Sequence, residues 1–133
     1  MAPEGPKGST ALCEGVAMFR DPVDGRLFLL GSHLTGWAAN AAMLSVSDRK
    51  TVCGSRWSYL GNPATGPGAA ATFNAQSTFV LPYRDPGTNR TTMVMMADDW
   101  GYPNESKATM VWLPFERSDA GNWTFKWTAE WTL

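Results

Sequence analysis

Residues 61–71, GNPATGPGAAA, contain no charge and no large side chain. Three glycines and two prolines in so short a stretch support neither a helical stripe nor an alternating strand, so the segment reads as a boundary. Outward from it on both sides lie short runs rich in Val, Phe, Trp, Thr and Met, separated by Gly, Pro, Asn and Asp clusters. On the N-terminal side the runs are 16–19, 26–32, 41–46 and 56–60; on the C-terminal side they are 76–83, 91–97, 109–115 and 123–131. No window carries the 3.6-residue spacing of an amphipathic helix, and β-branched and aromatic residues between turn signals predict an all-β chain. Asp24-Gly25 is a hairpin signal between the first two runs, and the turn residues at 87–89 and 120–122 do the same later. Two groups of four sequential strands, repeating at about 60 residues, fit a sandwich of two sheets or two blades of a β-propeller. A propeller closes its ring with roughly four to eight blades, so two blades alone leave apolar faces that missing blades or another copy would cover.

Composition narrows the function. The chain has 133 residues, 44% of them hydrophobic and 17% charged, which suits one domain of ordinary size. A net charge of −1 with no basic run excludes the phosphate-neutralising surface that nucleic-acid binding requires. The longest apolar stretches, 27–30 and 93–97, are far shorter than the roughly 20 residues of a membrane span, so no membrane partner is expected. Seven tryptophans are the outlying number. Flat aromatic faces collect where a protein meets ligands, and they suit the C–H faces of sugars. Cys13 and Cys53 fit one disulfide or two thiols equally well. Sequons at Asn89, Asn104 and Asn122 lean towards secretion, whereas residues 1–10, MAPEGPKGST, have no signal-peptide pattern and are expected to be irregular. Either the chain is cytosolic or its true beginning lies upstream.

Five motifs then occur in order: EGVAMF (14–19), HLTGWAAN (33–40), TFNAQSTF (72–79), MADDW (96–100) and VWLPF (111–115). Together they resemble the C-terminal part of the catalytic domain of glycoside hydrolase family 43, in its exo-β-1,3-galactanase branch. The resemblance covers residues 11–133. It implies a five-bladed β-propeller of which this chain supplies about the last two blades, at about 11–62 and 72–133. It also implies an extracellular enzyme that removes terminal galactose from a β-1,3-galactan by inversion.

Carried over position by position, the resemblance puts the general acid at Glu14. Inverting hydrolysis needs a carboxylic acid to protonate the leaving oxygen, and Val16, Met18 and Phe19 would supply an apolar neighbourhood for it. The plainer reading is a solvated loop glutamate, and Val16 stands where the family usually has proline. Gln76 matches the residue opposite the acid. Its amide carbonyl can accept a hydrogen bond from the attacking water but has almost no basicity; the alternative is a side chain that only satisfies turn backbone groups. Asn74 and Ser77 are assigned to shaping that turn. The loop 33–40 resembles the wall of the galactose subsite. There Thr35, Gly36 and Asn40 would approach the sugar, and Trp37 either stacks on it or packs in the core. Ala39 replaces another common proline. In Asp98-Asp99-Trp100 the family has Asp-Arg-Trp; Asp98 is expected at sugar hydroxyls and Asp99 in a surface turn. Trp112 reads as core, and Trp123, Trp127 and Trp131, evenly spaced, as one packed face of a single strand. No metal or organic cofactor is expected, since His33 is the sole histidine. The partner implied is a galactose-containing polysaccharide. A non-catalytic carbohydrate-binding module, or an assembly module, remains the alternative.

Overall fold

The computed structural model describes residues 13–133. A first antiparallel sheet is built from β1 (Cys13–Arg20), β2 (Leu27–His33), β3 (Ala42–Ser47) and β4 (Trp57–Gly61), in that spatial order. A second sheet contains β5 (Ala64–Thr65), β6 (Ala75–Arg84), β7 (Thr91–Asp99), β8 (Thr109–Arg117) and β9 (Trp123–Lys126), in the order β5-β9-β8-β7-β6. Short 3-10 turns at Ala69–Asn74 and Glu105–Lys107 are the helical elements among the described residues. The chain is thus all-β with two sheets.

Alternation decides which way each strand faces. In β1, Ala17 and Phe19 are buried, while Val16 and Met18 stand on the opposite face and are exposed. The two sheets pack through one shared core, in which Phe19, Phe28, Phe115, Trp123 and Phe125 meet with ring centroids 5.2 to 6.5 Å apart. Such aromatic contacts add to area burial. The edge strands β1 and β6 meet across the sheets, where Ser77 Oγ donates to the Gly15 carbonyl at 2.6 Å.

Three expectations need correction. The boundary segment contributes β5, which pairs in parallel with β9 through Ala64 opposite Phe125 and Thr65 opposite Lys126. The last strand stops at Lys126, not at Trp131. With Glu116 opposite Thr124 and Arg117 opposite Trp123, continuing the ladder would bring Lys126 to Pro114, which has no amide hydrogen to donate. Hence Trp123 alone of its three is buried; Trp127 is exposed beyond the strand and leans on Phe73 at 5.9 Å, and Trp131 donates its indole N–H to the Trp112 carbonyl at 2.8 Å. Trp112 is also outside the core. Val111, Leu113 and Phe115 take the buried positions of β8, so Trp112 stands half-exposed on the other face, opposite Met96.

Candidate functional site

Both of these edge strands break their register at one end. In β1, Glu14 pairs with Ser32 and Ala17 with Leu30, so Gly15 and Val16 share the space opposite Gly31; in β6 the shift falls between Ser77 and Phe79. Bulges of this kind re-aim side chains at the ends of strands. The result here is that Glu14 and Gln76, carried by different sheets, line one cavity of about 490 Å³.

Gly15 brings them together. Its φ is +59°, and a Cβ there would lie 2.5 Å from Gln76 Cγ and 2.8 Å from the Ser77 carbonyl oxygen, so only glycine permits the approach. Ser32 completes the link. Its hydroxyl donates to the Glu14 carbonyl at 3.3 Å and accepts from Gln76 Nε2 at 3.0 Å. Because the hydroxyl hydrogen is committed to Glu14, the atom that Gln76 presents to Ser32 is the amide nitrogen. The amide oxygen is thereby the end available to a water or hydroxyl in the cavity. Nothing local in the sequence marks Ser32, which lies 44 residues from Gln76.

The turn before β6 is strained. Thr72, Phe73 and Asn74 have φ values of 47°, 58° and 63°, a conformation that β-branched and aromatic residues rarely adopt. Thr72 is buried and donates its hydroxyl to the Asn40 carbonyl at 2.8 Å, which holds the loop 33–40 against the turn. Phe73 packs on Phe125 at 6.1 Å between centroids. Asn74, expected only to shape the turn, also lines the cavity.

The expected subsite residues divide. Gly36, Trp37 and Asn40 line the cavity. Asn40 has most of its side chain engaged, accepting from His33 N at 3.0 Å and donating to the His33 carbonyl at 2.9 Å and to Thr35 Oγ1 at 2.6 Å. Thr35 is not in the wall; its hydroxyl donates to the Ala38 carbonyl at 2.6 Å and braces the loop from behind. Trp37 is neither core nor a bare platform. It is half-exposed at the mouth, stacked on Tyr102. Asp98 pairs with Gln76 on the neighbouring strand but does not line the cavity, whereas Asp99 does. Asp99 Oδ1 accepts from Gly101 N at 2.9 Å, at the turn that closes β7. Of the apolar residues expected around Glu14, none lines the cavity: Phe19 is in the inter-sheet core, and Val16 and Met18 are exposed on the outer face.

Cys13 and Cys53 are unpaired, and burial pushes the Cys13 thiol above its usual range. Asn89, Asn104 and Asn122 are all exposed. Among the described residues no three His, Cys, Asp or Glu side chains are grouped to hold a metal, and no helix is long and apolar enough to cross a membrane.

The chain is similar to solved structures of one kind. A GH43 β-1,3-galactosidase with galactodeoxynojirimycin is 31% identical, with a TM-score of 0.78 over 91% of this chain and 32% of that one. A second GH43 β-1,3-galactosidase is 27% identical, with a TM-score of 0.76 over 91% of this chain and 24% of its own. An exo-β-1,3-galactanase from Clostridium thermocellum shares the fold at 24% identity and a TM-score of 0.70, over 85% of this chain and 23% of that one. This chain therefore spans a third or less of the length of each. No protein-family model and no curated protein matches it.

Proposed function

Starting from a chain that resembles, in fold and in sequence, the C-terminal part of the family 43 β-1,3-galactosidases and exo-β-1,3-galactanases, we propose that it forms one wall of a glycoside hydrolase site for terminal β-1,3-linked galactose. In this reading Glu14 is the general acid that protonates the departing glycosidic oxygen. Gln76 holds the attacking water on the opposite side of the sugar, which gives inversion. Gly36, Trp37 and Asn40 line the galactose subsite, Thr35 braces it, and an acidic side chain from the end of β7 meets sugar hydroxyls; Asp99 suits that role better than Asp98 because it borders the cavity. The two sheets act as the last two blades of a five-bladed propeller, at about 11–62 and 72–133, completed by further blades or another copy. An extracellular location fits the three exposed sequons.

One observation carries the reading. Glu14 and Gln76 share a cavity and are tied through Ser32, whose hydroxyl bonds fix the glutamine amide with its oxygen free to accept from water. An amide oxygen orients water but hardly accepts its proton, so a basic group from elsewhere in the ring must take that proton.

Hydrolysis of β-1,3-galactobiose followed by proton NMR tests this. The first galactose released should be the α-anomer, and Glu14→Gln should lower the rate by at least ~100-fold while leaving galactose binding within about twofold. Unchanged turnover in Glu14→Gln removes the acid role. Binding without any hydrolysis, even when the chain is joined to the blades that complete the ring, points to a carbohydrate-binding module instead.

A further inference from the structure

The six asparagines of the chain fall into two sets of three. Asn40, Asn62 and Asn74 do not begin an Asn-x-Ser/Thr pattern. The first two spend their amide nitrogens inside the fold, Asn40 on the His33 carbonyl and Thr35 Oγ1, Asn62 on the Ala69 carbonyl at 2.9 Å. The other three all begin one: Asn89-Arg-Thr91, Asn104-Glu-Ser106 and Asn122-Trp-Thr124. Chance alone would give roughly one such tripeptide among so few asparagines. All three of these asparagines, and the hydroxyl residue two positions after each, are exposed.

Their places follow the topology. Asn89 lies between β6 and β7, Asn104 between β7 and β8, and Asn122 between β8 and β9, so every hairpin connection of the second sheet presents one sequon. The connections within the first sheet present none. Hydrogen bonds set which end of the amide faces out. Asn89 Oδ1 accepts from Arg84 Nε at 2.7 Å, and Asn104 Oδ1 accepts from the Ser106 backbone amide at 3.2 Å and from its hydroxyl at 2.6 Å. An N–H can only donate, so these bonds hold the oxygen towards the chain and leave Nδ2 to solvent. Asn122 is exposed in the turn that joins β8 to β9.

Nδ2 is the atom to which an N-linked glycan is joined. We propose that Asn89, Asn104 and Asn122 are glycan attachment sites, modified by a transferase that uses a lipid-linked oligosaccharide diphosphate. The anomeric carbon of the first sugar forms a bond to Nδ2 as its bond to the diphosphate oxygen breaks; the lipid diphosphate departs, and one amide proton passes to a base of the transferase. Two of the three bulky, hydrophilic chains stand away from the cavity. About 25 Å of β6 separates Gln76 from Arg84, next to the Asn89 turn, and Gly121, beside Asn122, accepts from Arg26 at that same end. The third flanks the mouth, because Asn104 follows the wall residue Tyr102 by two positions. None lies on the outer sheet faces, where Val16, Met18, Phe79 and Trp112 are exposed, so glycosylation leaves those surfaces open to further blades. The inference rests on the extracellular location in the reading above and not on its galactoside chemistry.

Secretion of the full chain, behind a signal peptide, from a eukaryotic host that glycosylates tests it. The route is then imposed, so a bare product counts against the sites and not against the extracellular reading. Release of the glycans by peptide N-glycosidase in heavy-oxygen water turns each occupied asparagine into a heavy aspartate, which peptide mass spectrometry locates. Heavy aspartate should appear at positions 89, 104 and 122, and none at 40, 62 or 74. Thr91→Ala, Ser106→Ala and Thr124→Ala should each lose the glycan at one site and keep the other two; all three hydroxyls are exposed, so the fold survives their removal. An asparagine left bare in most of the secreted protein strikes that site from the assignment, and three bare asparagines overturn the proposal. Galactose titration of the same material tests the galactoside reading separately, and glycans on a protein that binds no galactose leave this inference standing.

Discussion

The two ends of the pair of sheets are built from different chemistry. Six residues of β1, about 20 Å of strand, separate Glu14 at the cavity from the turn at Asp21. At the cavity end the contacts between sheets are neutral hydrogen bonds, namely Gln76 to Ser32, Ser77 to Gly15 and Thr72 to Asn40, and the backbone takes positive φ at Gly15 and at Thr72 to Asn74. At the far end the contacts are charged. Asp21 is 1% exposed; its Oδ2 accepts from Arg117 Nε at 2.6 Å and from Trp123 Nε1 at 3.2 Å, and its Oδ1 accepts from Val23 N at 2.8 Å. Arg117 also donates to Asp24 at 3.0 Å, and Arg26 joins Asp24 at 2.9 Å. Strained backbone persists only where its surroundings over-determine it. The far end and the aromatic core between hold the sheets together, which leaves the cavity end free to carry open polar groups and strained turns.

The sharpest way to break this division is Asp21→Ala. It takes one of the two carboxylates that Arg117 holds and leaves the Trp123 indole and a backbone amide without their acceptor, and each buried donor left unsatisfied costs about 1 to 3 kcal/mol. Urea unfolding should show that loss, while the folded fraction keeps its galactose affinity, because no residue of this network borders the cavity. A loss below about 1 kcal/mol, or a fall in affinity out of proportion to unfolding, would show the two ends to be one cooperative device.

Gly15→Ala should act at the other end with a smaller cost in stability and a larger one in binding. The new methyl group meets a flexible side chain at Gln76 but a backbone oxygen at Ser77, and alanine at φ +59° adds about 1 kcal/mol of its own. A total near 2 kcal/mol is expected. Because the sheets must part where Glu14 and Gln76 face each other, galactose binding should fall at least 10-fold. If titration shows unchanged affinity, the contact around Gly15 does not set the geometry of the site.

How much of this was legible in the sequence follows from range. The strands were, because alternation and turn residues act locally: the runs at 26–32 and 109–115 appear as β2 and β8 to within two residues at each end. Glu14 and Gln76 were reached through motifs rather than geometry. What escaped depends on distant partners. Ser32 matters only through Gln76, the Asp21–Arg117 pair spans 96 residues, and Trp112 looks like core until the parity of β8 is known. Strand β5 is only two residues long and exists because β9 lies beside it. The left-handed turn at Thr72 and Phe73 was also hidden, since neither residue type favours it and Asn74 alone hints at it. Tyr102 carried no signal at all until the loops that hold it and Trp37 met.

The smallest expected effect separates charge from shape at the far end. Partial desolvation tends to raise the Asp24 carboxyl, but hydrogen bonds from the Arg26 backbone and side chain, together with Arg117, outweigh it and hold the group below the ordinary carboxylate value. A carboxyl with a depressed folded pKa adds stability above its unfolded value near 4, and loses it as pH falls through the folded value. Asp24→Asn should therefore be less stable than the unmodified chain at pH 7, and the two should converge as the pH drops below about 4. Solvent reaches Asp24, so screening keeps the difference below about 1 kcal/mol, and added salt should shrink it further. A difference that persists at pH 2 would mean that the asparagine disturbs the turn itself, and the far end would then be held by the shape of its loops rather than by their charge.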